Sequence, residues 1–333
     1  MLRSSPPLSL PAPDLAPGRP AVLPAEAGGE PARWAAAHRA ALRGLVAEHG
    51  AVVVRGLGLR DADDVAATFA AAAGTLVPER EAFAPREVRG PGVHGATPWP
   101  AGQQMCMHHE LSYRLEVPGL LLFACLVAPA EGGATPLADA AAVLAALPPA
   151  LVDRFEREGW LLVRTYGDDI GASWAEAFGT GDRAAVEAAG RADAIELEWL
   201  PDGGLRTRQR RRAVVPHPLT GARCWFNQVA FLSEWTLDPE VREYLVEEHG
   251  PDGLPFTTRF GGGDPVGEDV VALLTEVYDA HTVREPWQAG DLLLVDNVAT
   301  AHAREPYRGA REVLVGLADP VRFTPPSGEG ALR

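Results

Sequence analysis

The stretch Met105-Cys106-Met107-His108-His109-Glu110-Leu111-Ser112-Tyr113 decides how the rest of the chain is read. Its residue types fit a strand, and alternate strand residues point to one face. On that pattern His108 and Glu110 project together and His109 points away. An imidazole and a carboxylate on one face make half of a metal site. Cys106 shares their face and is the competing ligand.

The missing imidazole lies far along the chain. Leu292-Leu293-Leu294-Val295-Asp296 is a buried strand, and Asn297-Val298-Ala299-Thr300-Ala301-His302 follows it. Two histidines and one carboxylate on one side of a metal leave the opposite positions open, the arrangement of non-haem Fe(II) oxygenases. A structural zinc site would instead close four ligands rich in Cys. Cys106, Cys125 and Cys224 are the only cysteines, and none stands at ligand spacing to another.

Downstream of His302 come Arg304, Arg308 and Arg311, then the strand Glu312–Leu317. Arginine matches a carboxylate with two parallel hydrogen bonds. Arg311, at the head of that strand, could hold the far carboxylate of a metal-chelating diacid. Arg308 reads as part of a solvated turn, and Arg304 has no assignment from sequence. Thr135 follows the Gly132-Gly133 turn; its hydroxyl could donate to the same carboxylate or simply stabilise the turn.

Composition bounds the rest. The chain has 333 residues, 47% of them hydrophobic, enough for one large core. Its net charge is −15, which argues against nucleic-acid binding. All 30 cations are arginine, a mark of a high-GC coding sequence. Three cysteines without a pairing motif fit a reducing, cytoplasmic setting. Eight prolines in residues 1–32 fit neither a signal peptide nor an anchor, and no apolar run approaches the roughly 20 residues of a membrane span.

Residues 1–19 read as a Pro-rich flexible tail and 326–333 as a second one, with one domain over 20–325. Helices are expected at Trp34–Glu48, Asp61–Ala73 and over 140–158. Strands are expected at Ala51–Leu57, Gly119–Ala128, Trp160–Thr165, Asp291–Asp296 and Glu312–Leu317. Residues 166–212 read as a lid-like insertion ending in the basic run Arg206–Arg212. Many short strands with a few flanking helices indicate a mainly β fold, a jelly roll decorated by helices.

With these residues in view, the chain resembles the TauD/TfdA group of clavaminate-synthase-like Fe(II)/2-oxoglutarate dioxygenases. The likeness rests on His108–Tyr113, Gly132–Asp139, Gly290–Asn297, His302–Tyr307 and Gly309–Arg311. His217–Gly221 with Trp225–Gln228 resembles the branch containing syringomycin-type aspartyl hydroxylases. The resemblance implies a double-stranded β-helix, iron on His108, Glu110 and His302, and 2-oxoglutarate on Arg311 and Thr135, with O2 as the third reactant. Related halogenases put a small residue where Glu110 stands, so Glu110 argues for oxygen transfer. The implied activity is hydroxylation of an amino-acid-like metabolite, free or tethered to a carrier protein, in specialised metabolism such as antibiotic biosynthesis. Desaturation or cyclisation by the same cofactors stays open. So do two readings from other classes, a non-catalytic β-barrel binding protein and a zinc hydrolase. Candidate substrate contacts are Trp99, Tyr113, Arg206, Trp225 and Asn227. His217 is a further pocket candidate.

Overall fold

The computed structural model describes residues 10–77, 86–167 and 172–326. The first nine residues of the expected N-terminal tail, residues 327–333 of the C-terminal one, and 168–171 of the expected lid lie outside them. Residues 10–19 lie along the body. Asp14 and Val22 exchange backbone hydrogen bonds at 2.8 and 3.0 Å, and Arg19 bridges Asp14 and Glu285.

Two facing sheets form the barrel. The major sheet has seven strands in the order Ala21–Pro24, Ala51–Arg55, Leu292–Asp296, Glu116–Val127, Glu312–Arg322, Val93–Gly95 and Val88–Gly90. The minor sheet has four: Thr282–Val283, Leu137–Asp139, Thr300–Arg304 and Met105–His108. This is the mainly β jelly roll with flanking helices that the sequence indicates.

The strands of the major sheet are apolar on both faces because both are covered. Leu121, Phe123, Leu293, Val295, Val313 and Val315 point into the barrel and pack with Met107, Leu137 and Ala301 of the minor sheet. Leu120, Leu122, Leu292, Leu294 and Leu314 point outward against helices Pro31–His49 and Ala62–Ala72. The first of these helices connects two parallel strands, Ala21–Pro24 and Ala51–Arg55. The second is capped by Asp61, whose side chain accepts from Asp64 N at 2.9 Å.

Two expected elements differ. The helix over 140–158 is two helices, Ala140–Ala146 and Pro149–Glu158, because Pro148-Pro149 cannot continue the first and suits the start of the second. The strand expected from Met105 to Tyr113 ends at His108. The chain then turns, with Leu111 in the left-handed region at φ 55°.

A side sheet, ordered Ile195–Trp199, Leu205–Arg211, Trp160–Tyr166 and Phe256–Phe260, carries much of the expected lid. Leu205–Arg211 pairs along its whole length with Trp160–Tyr166. No helix among the described residues is long and apolar enough to cross a membrane.

Candidate active site

His108 and His302 are direct cross-strand partners in the minor sheet. An irregularity follows at once, since Arg304 pairs with Met105, three residues back from His108 rather than two. Such a bulge re-aims side chains. The two imidazole centroids are 4.3 Å apart. Glu110 comes in from the turn beyond His108, with Oε2 3.9 Å from His108 Nε2 and 3.7 Å from His302 Nε2. All three side chains are buried, and their ligand atoms lie within 4.8 Å of one another.

The protonation states suit a metal. His108 Nδ1 lies 2.9 Å from the Cys106 carbonyl, which leaves Nε2 as the lone-pair nitrogen facing Glu110. Burial, then the neighbouring His302, pushes the His108 pKa down to about 3, so the ring is neutral. Burial alone would raise the Glu110 pKa. The Arg86 guanidinium, 3.0 Å from Oε2, overcomes it and holds the carboxyl below its usual range. Two imidazoles and an ionised carboxylate are the donor set that Fe(II) takes. Cys106 lies outside the cluster; its backbone, not its thiol, serves the site.

The turn carrying Glu110 is gripped by Asn297, which is fully buried. Its Oδ1 accepts from Glu110 N at 2.8 Å, and its Nδ2 donates to Glu110 O at 3.0 Å and Pro118 O at 2.8 Å. His109 does point away from the triad, as alternation predicts. Its Nδ1 lies 2.6 Å from the Asn297 carbonyl, and its ring packs on Phe226.

A cleft of about 430 Å³, counted to where it opens to solvent, runs past the triad. Arg311 and Thr135 line it together with His108 and His302. Arg311 Nε donates to Gly133 O at 3.0 Å, fixing the guanidinium against the turn that presents Thr135. Burial, then Arg304, lowers its pKa to about 10, which leaves it cationic at neutral pH. Gly133 has φ 68°, and a Cβ there would meet Tyr307 Cβ at 2.9 Å and Arg311 Cδ at 3.3 Å. Arg304 spends its guanidinium on the carbonyls of Trp99, Pro100 and Gln103 at 3.0, 2.6 and 2.8 Å, so it shapes the cleft wall. Arg308 is exposed beside Glu131, as a solvated turn requires.

The structure brings only one of the five candidate substrate residues near the metal site. Trp99 packs 5.9 Å from the ring of Phe231, which itself stacks on His108 at 4.6 Å. Tyr113 is in the core, and its carbonyl accepts from Arg211. Trp225 is fully buried, edge-on to Phe155. Asn227 braces backbone, donating to Ala213 O and accepting from Val229 N. Arg206 faces the side-sheet neighbour Glu198. His217 is a structural latch. Its Nδ1 accepts from Leu219 N and Thr220 N, so Nε2 donates to Asp296 at 2.9 Å.

One residue of the cleft carries no mark in the sequence. Arg86 donates from Nη2 to Glu110 Oε2 at 3.0 Å and from Nε to Thr97 Oγ1 at 2.9 Å, and it is buried. It lies in a Pro/Gly-rich connection with no periodicity, where sequence offers no reason to single it out.

The family model described as taurine catabolism dioxygenase TauD, TfdA family, matches residues 14–318. The chain belongs to this family. It is a dioxygenase, and the triad fits the iron centre of an Fe(II)/2-oxoglutarate enzyme. The chain is 33% identical to the dapdiamide synthesis protein DdaC of Enterobacter agglomerans over 83% of its own length and 84% of that protein's. It is 32% identical to a clavaminate synthase-like protein of Arabidopsis thaliana, over 83% of each chain. Its fold matches PvcB, an Fe, alpha-ketoglutarate dependent oxygenase from an isonitrile synthetic pathway. That match has a TM-score of 0.52 and 16% identity, covering 92% of this chain and 89% of the other. Family membership sets aside the readings as a non-catalytic barrel and as a zinc hydrolase.

Proposed function

We propose that the protein hydroxylates an unactivated C–H bond of a small amino-acid-like metabolite, free or tethered to a carrier protein, in specialised metabolism. His108, Glu110 and His302 hold Fe(II), and Arg311 with Thr135 holds the distal carboxylate of 2-oxoglutarate. One observation carries this reading: His108 and His302, clustered with Glu110, line one cleft of the barrel together with Arg311 and Thr135. The similarity to a dapdiamide synthesis protein supports the placement in specialised metabolism. When bound, iron and 2-oxoglutarate supply the oxidant, with O2 consumed and succinate and CO2 released.

The chain's own residues do the positioning. Asn297 and the Cys106 carbonyl fix the ligands Glu110 and His108 from behind. Phe231 and Phe123 wall the imidazoles with apolar surface and keep water from their faces. Glu110 fills the carboxylate position and leaves no gap there for a halide, which favours hydroxylation.

The test follows succinate formation and product mass across free amino acids and their carrier-bound forms, with and without Fe(II). Substrate-dependent succinate with a product 16 mass units heavier is expected from oxygen insertion. Turnover that survives His108→Ala or Glu110→Ala defeats the assignment.

A further inference from the structure

His217 stands at the start of an exposed turn, yet its ring is buried. Pro218, Leu219, Thr220 and Gly221 beside it face solvent, Leu219 at 78%, while His217 is 5% exposed. Leu219 N and Thr220 N donate to its Nδ1 at 3.2 and 3.1 Å, which fixes the proton on Nε2. That proton goes to Asp296 Oδ2 at 2.9 Å.

Asp296 is the last residue of the strand Leu292–Asp296 and is itself buried. Its other oxygen, Oδ1, accepts from Val298 N and Ala299 N, both at 3.0 Å. The carboxylate thus bends the chain around Asn297, the residue that holds Glu110 N and O. His109, next to Glu110, is tied to the same turn through the Asn297 carbonyl at 2.6 Å. The links run from His217 to Asp296, to Asn297 and on to Glu110. None of the first three lines the cleft.

A buried carboxylate is costly unless its oxygens are paired. Without His217, Oδ2 loses this donor and the carboxylate turns toward water, carrying the Asn297 turn with it. A shift there passes to the Glu110 backbone, and a metal ligand set slightly off its place binds more weakly.

We infer that His217 is a positioning residue for the metal site: through Asp296 and Asn297 it sets where Glu110 stands. This rests on the reading of His108, Glu110 and His302 as metal ligands. A histidine that merely braced its own turn would act on stability alone, whereas this one acts on metal affinity and ligand geometry too.

The test uses the full chain with Co(II), whose visible bands report ligand geometry. Saturable uptake by the wild type, lost in His302→Ala, reports on the metal reading by itself. His217→Asn keeps an acceptor for the two turn amides but is too short to reach Asp296. His217→Gln reaches it with Nε2 and gives up the turn. His217→Asn should weaken Co(II) about ten-fold or more and shift the bands, and His217→Gln should stay within about three-fold of wild type. Val186→Ala, in the separate core with Tyr166 and Leu205, should lower Tm and leave metal binding alone. Where His217→Asn does not fold, Asp296→Asn should give the same loss, because its Nδ2 meets His217 Nε2–H donor to donor. Coupling is reciprocal, so in the wild type Zn(II) should slow hydrogen exchange of Leu219 N and Thr220 N about five-fold or more. Wild-type affinity and bands in the variant that folds overturn the inference. So does an equal loss in His217→Asn and His217→Gln, or amide exchange that Zn(II) leaves unchanged.

Discussion

Asn297 and Glu110 hold each other by a reciprocal pair of hydrogen bonds, Glu110 N to Asn297 Oδ1 at 2.8 Å and Asn297 Nδ2 to Glu110 O at 3.0 Å. Glu110, the proposed carboxylate ligand, stands on a turn, outside any strand, and this pair gives the turn the rigidity a strand would have supplied. Asn297→Leu strands two buried backbone groups of Glu110, at about 1–3 kcal/mol each. It should lower Tm by several degrees and weaken Fe(II) or Co(II) binding about 10- to 100-fold, the usual scale for groups that orient metal ligands. Thermal melting and metal titration check both.

Arg311→Leu should raise the KM for 2-oxoglutarate about 100-fold, from loss of a charge-assisted pair of roughly 2–3 kcal/mol. Metal affinity measured without 2-oxoglutarate should stay within about two-fold, because no triad atom bonds to Arg311. Steady-state succinate assays and a metal titration separate the two effects.

Gly133→Ala places a Cβ against Tyr307 and the stem of Arg311 at a left-handed backbone position. A strain of about 1–3 kcal/mol is expected, felt at both groups proposed to hold 2-oxoglutarate. The KM for 2-oxoglutarate should rise about ten-fold or more, and calorimetry of 2-oxoglutarate binding to the metal-loaded protein should give the same change.

Arg206→Ala should leave both stability and turnover almost unchanged, since its partner Glu198 is exposed and keeps Arg208. Trp225→Ala should destabilise by about 3–5 kcal/mol through an unfilled core site. A small-molecule substrate's KM should not change in whatever fraction stays folded, as judged by activity per folded molecule.

The convergence of His108 and His302 is partly legible: alternation sets the face of His108 in its apolar strand, while His302 is marked only by its place after the strand Leu292–Asp296 and before the arginines that follow. Glu110 was legible as a residue though not as a strand position: the strand ends at His108, and the convergence depends on Asn297, distant in sequence. The jelly roll could be read from many short apolar strands, and the outer helices from their spacing. Pro148 marked a break that the Ala/Leu-rich run around it concealed. The aromatic candidates misled for a physical reason. Closeness to the metal strand in sequence says nothing of depth, and Trp225 and Tyr113 are large side chains that the core absorbed. Much of the basic run Arg206–Arg212 is engaged by the protein itself: Glu198 pairs with Arg206 and Arg208, backbone carbonyls accept from Arg211, and Thr324 O accepts from Arg212. Arg86 could not be found, because its meaning lies in a contact 24 residues away across an aperiodic loop.

The most direct measurement adds 2-oxoglutarate anaerobically to the Fe(II)-loaded wild type, His108→Ala, Glu110→Ala and His302→Ala, and records the visible charge-transfer band of the chelate. The account predicts the band in the wild type and its loss, or a large drop in affinity, in each ligand variant. An undiminished band in all three variants, or none in an iron-loaded wild type, would contradict it.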